Sequence, residues 1–327
     1  KNTLSGFFCL ASALFYLHFD RTRKSTFYHW AMGLFVLSLL SKTIAPTLPA
    51  ALAVIFWWKK GGLCWRKDLR PLAGFFMVGI AFSLFTVWSE RNLIGARGEA
   101  FDLNIIERCL VAGRAIWFYL AKLFWPLDLV FIYPRWAISH AEVSGYLYPI
   151  SVVMVLLLLW LKREKCRGVF AASLLFVGML FPALGFVNIY FFKFSFVADH
   201  FQYLASFSVL AVTAAAIAVF LDRFHLWGKL PGNAICGILL ICCSMLIYRT
   251  SRLYADPETL YKHVIAKNPA SSLAHNNLGK ALESRGSIED AIVEFRKSTE
   301  FDPGYAQGYY NLAAVLAARG EEGEAIS

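Results

Sequence analysis

Apolar residues fall into eight runs along the chain, at about 4–19, 25–41, 44–58, 71–88, 146–161, 169–187, 206–221 and 231–248. Most are slightly short of the ~20 residues of an upright transmembrane helix, a gap that tilt and flanking residues close. The pattern predicts eight membrane-spanning helices. A further apolar stretch, IWFYLAKLFWPLDLVFIY at 116–133, is long enough to cross but carries Lys122, Pro126 and Asp128. A re-entrant or interfacial segment, near 105–135, accounts for it better than a ninth span.

The polar stretches between runs alternate in charge. Segments 21–24, 59–70, 162–167 and 222–229 hold 14 Lys or Arg in 30 residues, whereas 41–46, 89–145 and 188–205 hold 8 in 81. Lys and Arg concentrate in cytoplasmic loops, so the alternation places the four basic loops in the cytoplasm. Residues 89–145, 188–205 and everything after 249 then face outward. That side is the periplasm in a bacterium, or the lumen of the endoplasmic reticulum in a eukaryote. A crossing at 116–133 would invert every later loop and break this order.

Beyond residue 250 the pattern changes from runs to a repeat. Pro269 pairs with Pro303, Asn277 with Asn311, Leu278 with Leu312, Gly286 with Gly320 and Ala291 with Ala325, a constant offset of 34 residues. The full unit, 274–303, resembles the tetratricopeptide repeat at Leu278, Gly279, Gly286, Ala291, Phe295 and Pro303. Small residues at 279 and 291 let two antiparallel helices approach, Gly286 allows the turn, and Pro303 ends the second helix. Before it, DPETLYKHVIAKNP reads as a lone second helix, with Asp256 as N-cap and Pro257 at the first helical position. The expected fold is therefore all-α, with a membrane bundle over 1–250 and a truncated solenoid over 251–327. The array either binds a peptide or protein partner in its groove or acts as a spacer. Stability of such arrays takes about three repeats, so the repeat is expected to continue past Ser327. A chain that begins at Lys1 reads as an internal piece of a longer protein.

Composition agrees with the pattern. The 327 residues are 58% hydrophobic, with a mean hydropathy of +0.54. Residues 1–250 hold 24 Lys and Arg against 11 Asp and Glu, and the tail holds 8 against 11. The basic surplus lies in short loops between spans, which argues against nucleic acid as a partner. The seven cysteines form no CxxC or Cys/His spacing and read as small buried hydrophobes. No cofactor is evident, and a divalent metal stays open.

Candidate chemistry lies in the outward loops. FSFVADHFQYL, 194–204, presents Asp199, His200, Gln202 and Tyr203, with Lys193 just before it. On a helix, 199 and 203 share a face while 199 and 200 diverge, which argues against a metal pair. Composition alone favours an interfacial aromatic belt there. Arg108, Arg114 and Lys122 recur loosely on one helical face, a pattern suited to anionic lipid phosphates or to snorkelling. Arg135, between aromatics in YPRW, suits a phosphate or stacking on a sugar. Lys42 sits in the tightest outer turn, where it meets a lipid phosphate or snorkels.

Taken together, KNTLSGFFCLASALFYLHF, LLSKTIAPTLP, AGRAIWFYLAKLFWPLDLVFIYPRW and FSFVADHFQYLASF, followed by the repeats, resemble the transmembrane-and-tetratricopeptide-repeat proteins. These are the O-mannosyltransferase family that acts on cadherins, with bacterial relatives, which this chain resembles most. The resemblance implies a GT-C type glycosyltransferase. Such an enzyme moves mannose or a similar sugar from a polyprenyl-phosphate donor to Ser or Thr hydroxyls outside the cytoplasm. It further implies that Arg135, Lys42 and Lys193 approach the donor phosphate, and that Asp199, His200 and Tyr203 shape the sugar or acceptor pocket. The catalytic acid of such enzymes precedes the second span, which here falls upstream of Lys1, so this stretch alone is expected to be inactive. Two other readings share the architecture: a membrane-anchored repeat scaffold, and a polymerase or ligase of surface polysaccharide. A transporter fits poorly, because no span carries an acid near its middle.

Overall fold

A computed structural model describes residues 1–42, 45–224, 230–321 and 323. Among these residues the chain is helical, with no strand. It divides into two compact units. The first comprises Lys1–Phe124, Ala137–Lys193 and His200–His225, and the second comprises Trp125–Trp136, Phe194–Asp199 and Leu226–Ser327.

The first unit contains α1 (Asn2–Thr22), α2 (Ser25–Ser41), α3 (Leu48–Lys60), α4 (Ala73–Ser89), α5 (Ile105–Phe124), α6 (Leu147–Leu161), α7 (Arg167–Leu180) and α8 (Ser206–Arg223). Helix α1 stops at Arg23, whose left-handed backbone (φ 56°) aims its N–H at the Phe19 carbonyl. That turn folds α2 back along α1. Small hydroxyl residues line the shared face: Ser12 Oγ donates to the Ala31 carbonyl at 2.7 Å and Ser38 Oγ to the Ser5 carbonyl at 2.8 Å. Short side chains that satisfy each other let apolar helices pack where lipid supplies no hydrophobic drive. Around this hairpin, Tyr16, Phe35, Leu39, Phe56, Leu72 and Phe75 form one buried cluster. Helix α5 opens on a reciprocal cap: Asn104 Oδ1 accepts from the Glu107 N–H at 3.0 Å, and Glu107 Oε2 accepts from the Asn104 N–H at 2.9 Å. It ends at Phe124, because Trp125 precedes Pro126 and is steered out of helical geometry. The apolar stretch 116–133 is thus half helix and half irregular chain.

The second unit contains α9 (Leu230–Leu253), α10 (Pro257–Lys267), α11 (Ser272–Ser284), α12 (Ile288–Phe301) and α13 (Ala306–Arg319). Asp256 caps α10, its Oδ1 accepting from the Thr259 N–H at 2.9 Å. Between α11 and α12 the chain turns at Gly286, with φ +85°. A Cβ on Gly279 would lie 2.6 Å from the Phe295 ring, so only glycine permits this approach. Ala291 and Phe295 are fully buried in the same cluster. Ala325, the last partner in the 34-residue register, lies outside the described residues, as do 225–229 of the final basic loop.

Each predicted run contains a helix among the described residues, but the helices differ in reach. Five are long and apolar enough to cross a membrane: Asn2–Thr22, Trp65–Ile94, Val143–Leu161, Ser206–Arg223 and Leu230–Leu253. Those five mark a membrane protein. Helices α2, α3 and α7, of 17, 13 and 14 residues, are shorter than a full crossing. At 1.5 Å per residue, α3 extends only about 20 Å. The eight runs, read as slightly short of a full crossing, thus correspond to helices of which five reach crossing length once flanking turns are included.

Candidate functional site

In the first unit, Lys42 follows α2 directly. Its ammonium donates to Asn2 Oδ1 at 2.6 Å and stands 5.7 and 5.9 Å from the ring centroids of Phe201 and Tyr203. Burial holds this lysine below the usual range. It opens onto a cavity of about 180 Å³ whose walls include Ser83, Thr86, Glu90, Pro182 and Ile189. Glu90 lines the same cavity, yet no ion pair joins it to Lys42; its Oε2 instead accepts the Tyr190 N–H at 2.8 Å. That bond holds the short turn Tyr190–Lys193, which Lys193 closes. Lys42 is thus a half-buried cation balanced by one amide oxygen and two aromatic rings.

His200 lies in a single 3-10 turn, Asp199–Phe201. Its ring packs 4.6 Å from Phe201 and 6.3 Å from Phe191, measured between centroids. Burial first, and the Lys42 charge second, lower its pKa to about 4, so the ring is neutral at pH 7. Tyr203 packs its ring against Gly6, where an added Cβ would come within 3.1 Å. Lys42, His200 and Tyr203 therefore share one aromatic setting.

In the second unit, both carboxylate oxygens of Asp199 accept from the Tyr133 hydroxyl, at 3.0 and 3.1 Å. Burial and then the Asp199 charge push the Tyr133 phenol well above its usual range, so it stays a donor. The Arg135 guanidinium stacks 4.6 Å from the Phe196 ring centroid, and burial lowers its pKa. The strap that carries these residues, Trp125–Trp136, is fastened to α10. Lys267 pairs with Asp128 at 2.6 Å, and Asn268 Nδ2 donates to the Ile132 carbonyl.

A separate apolar groove of about 180 Å³ runs between α5, α6, α7 and α8, past Ile116, Leu120, Val155, Phe176 and Val212. Among the described residues, no three His, Cys, Asp or Glu side chains converge as a metal site.

Two participants escape the sequence reading. Glu90 continues a stripe with Ser83, Thr86 and Val87 at helical spacing, a signal within α4 that could have revealed it. Tyr133 carries no such signal, because its partner lies 66 residues away. Arg108, read as suited to anionic lipid phosphates or to snorkelling, donates to the carbonyls of Leu103, Phe101 and Gly185, at 3.0, 3.2 and 2.6 Å.

The chain is similar to protein O-mannosyl-transferases. It is 25% identical over 84% of its length to one from Caenorhabditis elegans, and 33% identical over 23% of its length to another from Drosophila melanogaster. It spans 39% and 8% of the lengths of these two relatives. No family model and no solved structure matches it.

Proposed function

We propose that the protein is a GT-C type glycosyltransferase of the bacterial kind. It passes mannose or a similar sugar from a polyprenyl-phosphate donor to protein hydroxyls on the extracytoplasmic side. The observation that carries this reading is Lys42, a half-buried ammonium with no carboxylate partner among the described residues, at the wall of a largely apolar cavity. A cation so placed favours an anion that arrives with an apolar body, which describes a lipid-linked phosphate. The low-identity similarity to protein O-mannosyl-transferases points to the same class.

In the proposed reaction, an acceptor hydroxyl oxygen forms a bond to the sugar's anomeric carbon while the bond from that carbon to the donor phosphate breaks. The phosphate leaves with the electron pair, and Lys42 stabilises its growing charge in a setting that excludes water. A carboxylate base takes the hydroxyl proton. Glu90 holds the Tyr190–Lys193 turn through the Tyr190 N–H, and Lys193 is a further phosphate candidate. Arg135, stacked on Phe196, is a second phosphate candidate, and Asp199 with Tyr133 a candidate sugar-hydroxyl contact. The apolar groove past Leu120 and Phe176 suits a hydrocarbon tail. Helices α11 to α13 are read as tetratricopeptide repeats that present the protein acceptor.

Incubating the intact protein in lipid with polyprenyl-phosphate mannose and a Ser/Thr-rich acceptor protein, then mapping masses, tests the assignment. Hexose on acceptor hydroxyls is the expected result. Extended free glycan would indicate a polysaccharide polymerase or ligase, and no transfer together with tight partner binding would indicate a scaffold.

A further inference from the structure

A second, larger cavity of about 410 Å³ lies in the first unit beyond the end of α4. It meets the Lys42 cavity along Val87 and Val187, which line both. Three guanidinium groups line it, from Arg91, Arg97 and Arg108, against the single carboxylate of Asp102. Among the described residues no ion pair neutralises any of the three.

Arg108 forms the back of this cavity. It spends its N–H groups on carbonyls from two separate stretches, Phe101–Leu103 and Gly185. Carbonyl dipoles steady the cation without cancelling its charge, so the cavity keeps a positive potential. Arg97 donates to the Asn92 side chain, and the Arg91 guanidinium makes no hydrogen bond or ion pair with a described residue. Both are exposed at the rim. The loop that presents Arg97 turns at Gly95 and Gly98, with φ +90° and +94°, a conformation other residues resist.

Guanidinium forks match phosphate oxygens in pairs. The surroundings decide which phosphate. Arg91 lies within the last turn of the candidate span Trp65–Ile94, where a crossing helix meets the headgroup layer. Its neighbours Leu93 and Ile94 are 68% and 48% exposed, and Ile105 is 67% exposed at the start of α5. Such an apolar rim is costly in water and is covered in acyl chains. We propose that Arg91 and Arg97, backed by Arg108, bind the headgroup phosphate of an anionic phospholipid. This site is distinct from the Lys42 cavity and does not rest on the reading of the protein as a glycosyltransferase.

The test uses the intact protein in detergent, with native mass spectrometry reading bound lipid as phosphatidylglycerol or phosphatidylcholine is titrated in. The wild type should retain phosphatidylglycerol in preference to phosphatidylcholine. The double variant R91Q/R97Q should weaken that retention at least about tenfold, as the loss of charge-assisted contacts implies. R91K/R97K, which keeps the charge and loses the fork, should fall between them and serves if the glutamine variant does not fold. Equal retention of the two lipids by the wild type, or retention of phosphatidylglycerol unchanged in both variants, would overturn the site. Displacement of phosphatidylglycerol by an equal concentration of inorganic phosphate would assign it to a soluble anion and overturn the lipid source.

Discussion

Lys42 carries most of the functional weight at the scale of single residues. Its ammonium has lost part of its hydration and has gained one amide oxygen and two ring faces, which leaves the cation under-compensated until an anion arrives. Because its bond to Asn2 depends on a donor and not on the full length of the chain, Lys42→Arg should keep measurable donor affinity where Lys42→Met loses it. Titration of a fluorescent polyprenyl-phosphate reads the difference. His200 supplies a pH prediction. Its folded pKa, about 4, lies below the ~6.5 of an unfolded histidine, first through burial and then through Lys42. A neutral ring favoured by the fold contributes stability that is fully present above about pH 6.5 and is lost as pH falls toward 4. His200→Gln should therefore flatten the decline in melting temperature across that window, and an unchanged slope would contradict the burial account. Lys42, His200 and Tyr203 were singled out in the sequence as polar residues beside apolar runs, and the structure places all three in one aromatic setting. Glu90 was not, nor was the bond from Arg108 to Gly185, since the partners Tyr190 and Gly185 lie 100 and 77 residues away, beyond any local pattern.

Among the elements, close helix contacts depend on particular glycines. A Cβ at Gly113 of α5 would stand 2.4 Å from the Pro149 backbone nitrogen of α6, and one at Gly279 would stand 2.6 Å from the Phe295 ring. At Gly178 of α7 nothing lies within 4 Å. Gly113→Leu should thus lower the melting temperature sharply, while Gly178→Leu leaves it near the wild type. Gly279→Leu should cost about 1–3 kcal/mol as the Phe295 ring is forced aside. Thermal unfolding by intrinsic fluorescence checks all three, and a Gly178 variant as damaged as the Gly113 variant would show that the contacts do not decide. The need for a small residue at 279 was readable from the 34-residue register. Nothing around Gly113 announced its contact, because a glycine in an apolar helix looks the same whether it faces lipid or a neighbouring backbone.

At the scale of the whole molecule, the helical runs were plain in the sequence, since apolar runs bounded by charge leave the backbone no satisfied alternative in lipid. Helix length was less plain: the 3-10 turn Ala45–Thr47 keeps the start of the third run out of α3, and Gly61 ends the helix just past that run, so its reach depends on where turns cut it. The alternation of basic loops predicts sidedness in a form open to labelling. In a cysteine-free background, His140→Cys should react with a membrane-impermeant maleimide from outside and Gly62→Cys should not, while the reverse pattern would overturn the orientation. The central claim is that Lys42 serves a lipid-linked phosphate during sugar transfer, and one measurement addresses it directly. Sugar transfer from polyprenyl-phosphate mannose to an acceptor protein is followed by mass spectrometry for the intact wild type and the Lys42→Met variant at matched expression and fold. The account predicts hexose on acceptor hydroxyls with the wild type and a loss of about 100-fold or more with the variant; transfer at the same rate by both would contradict it.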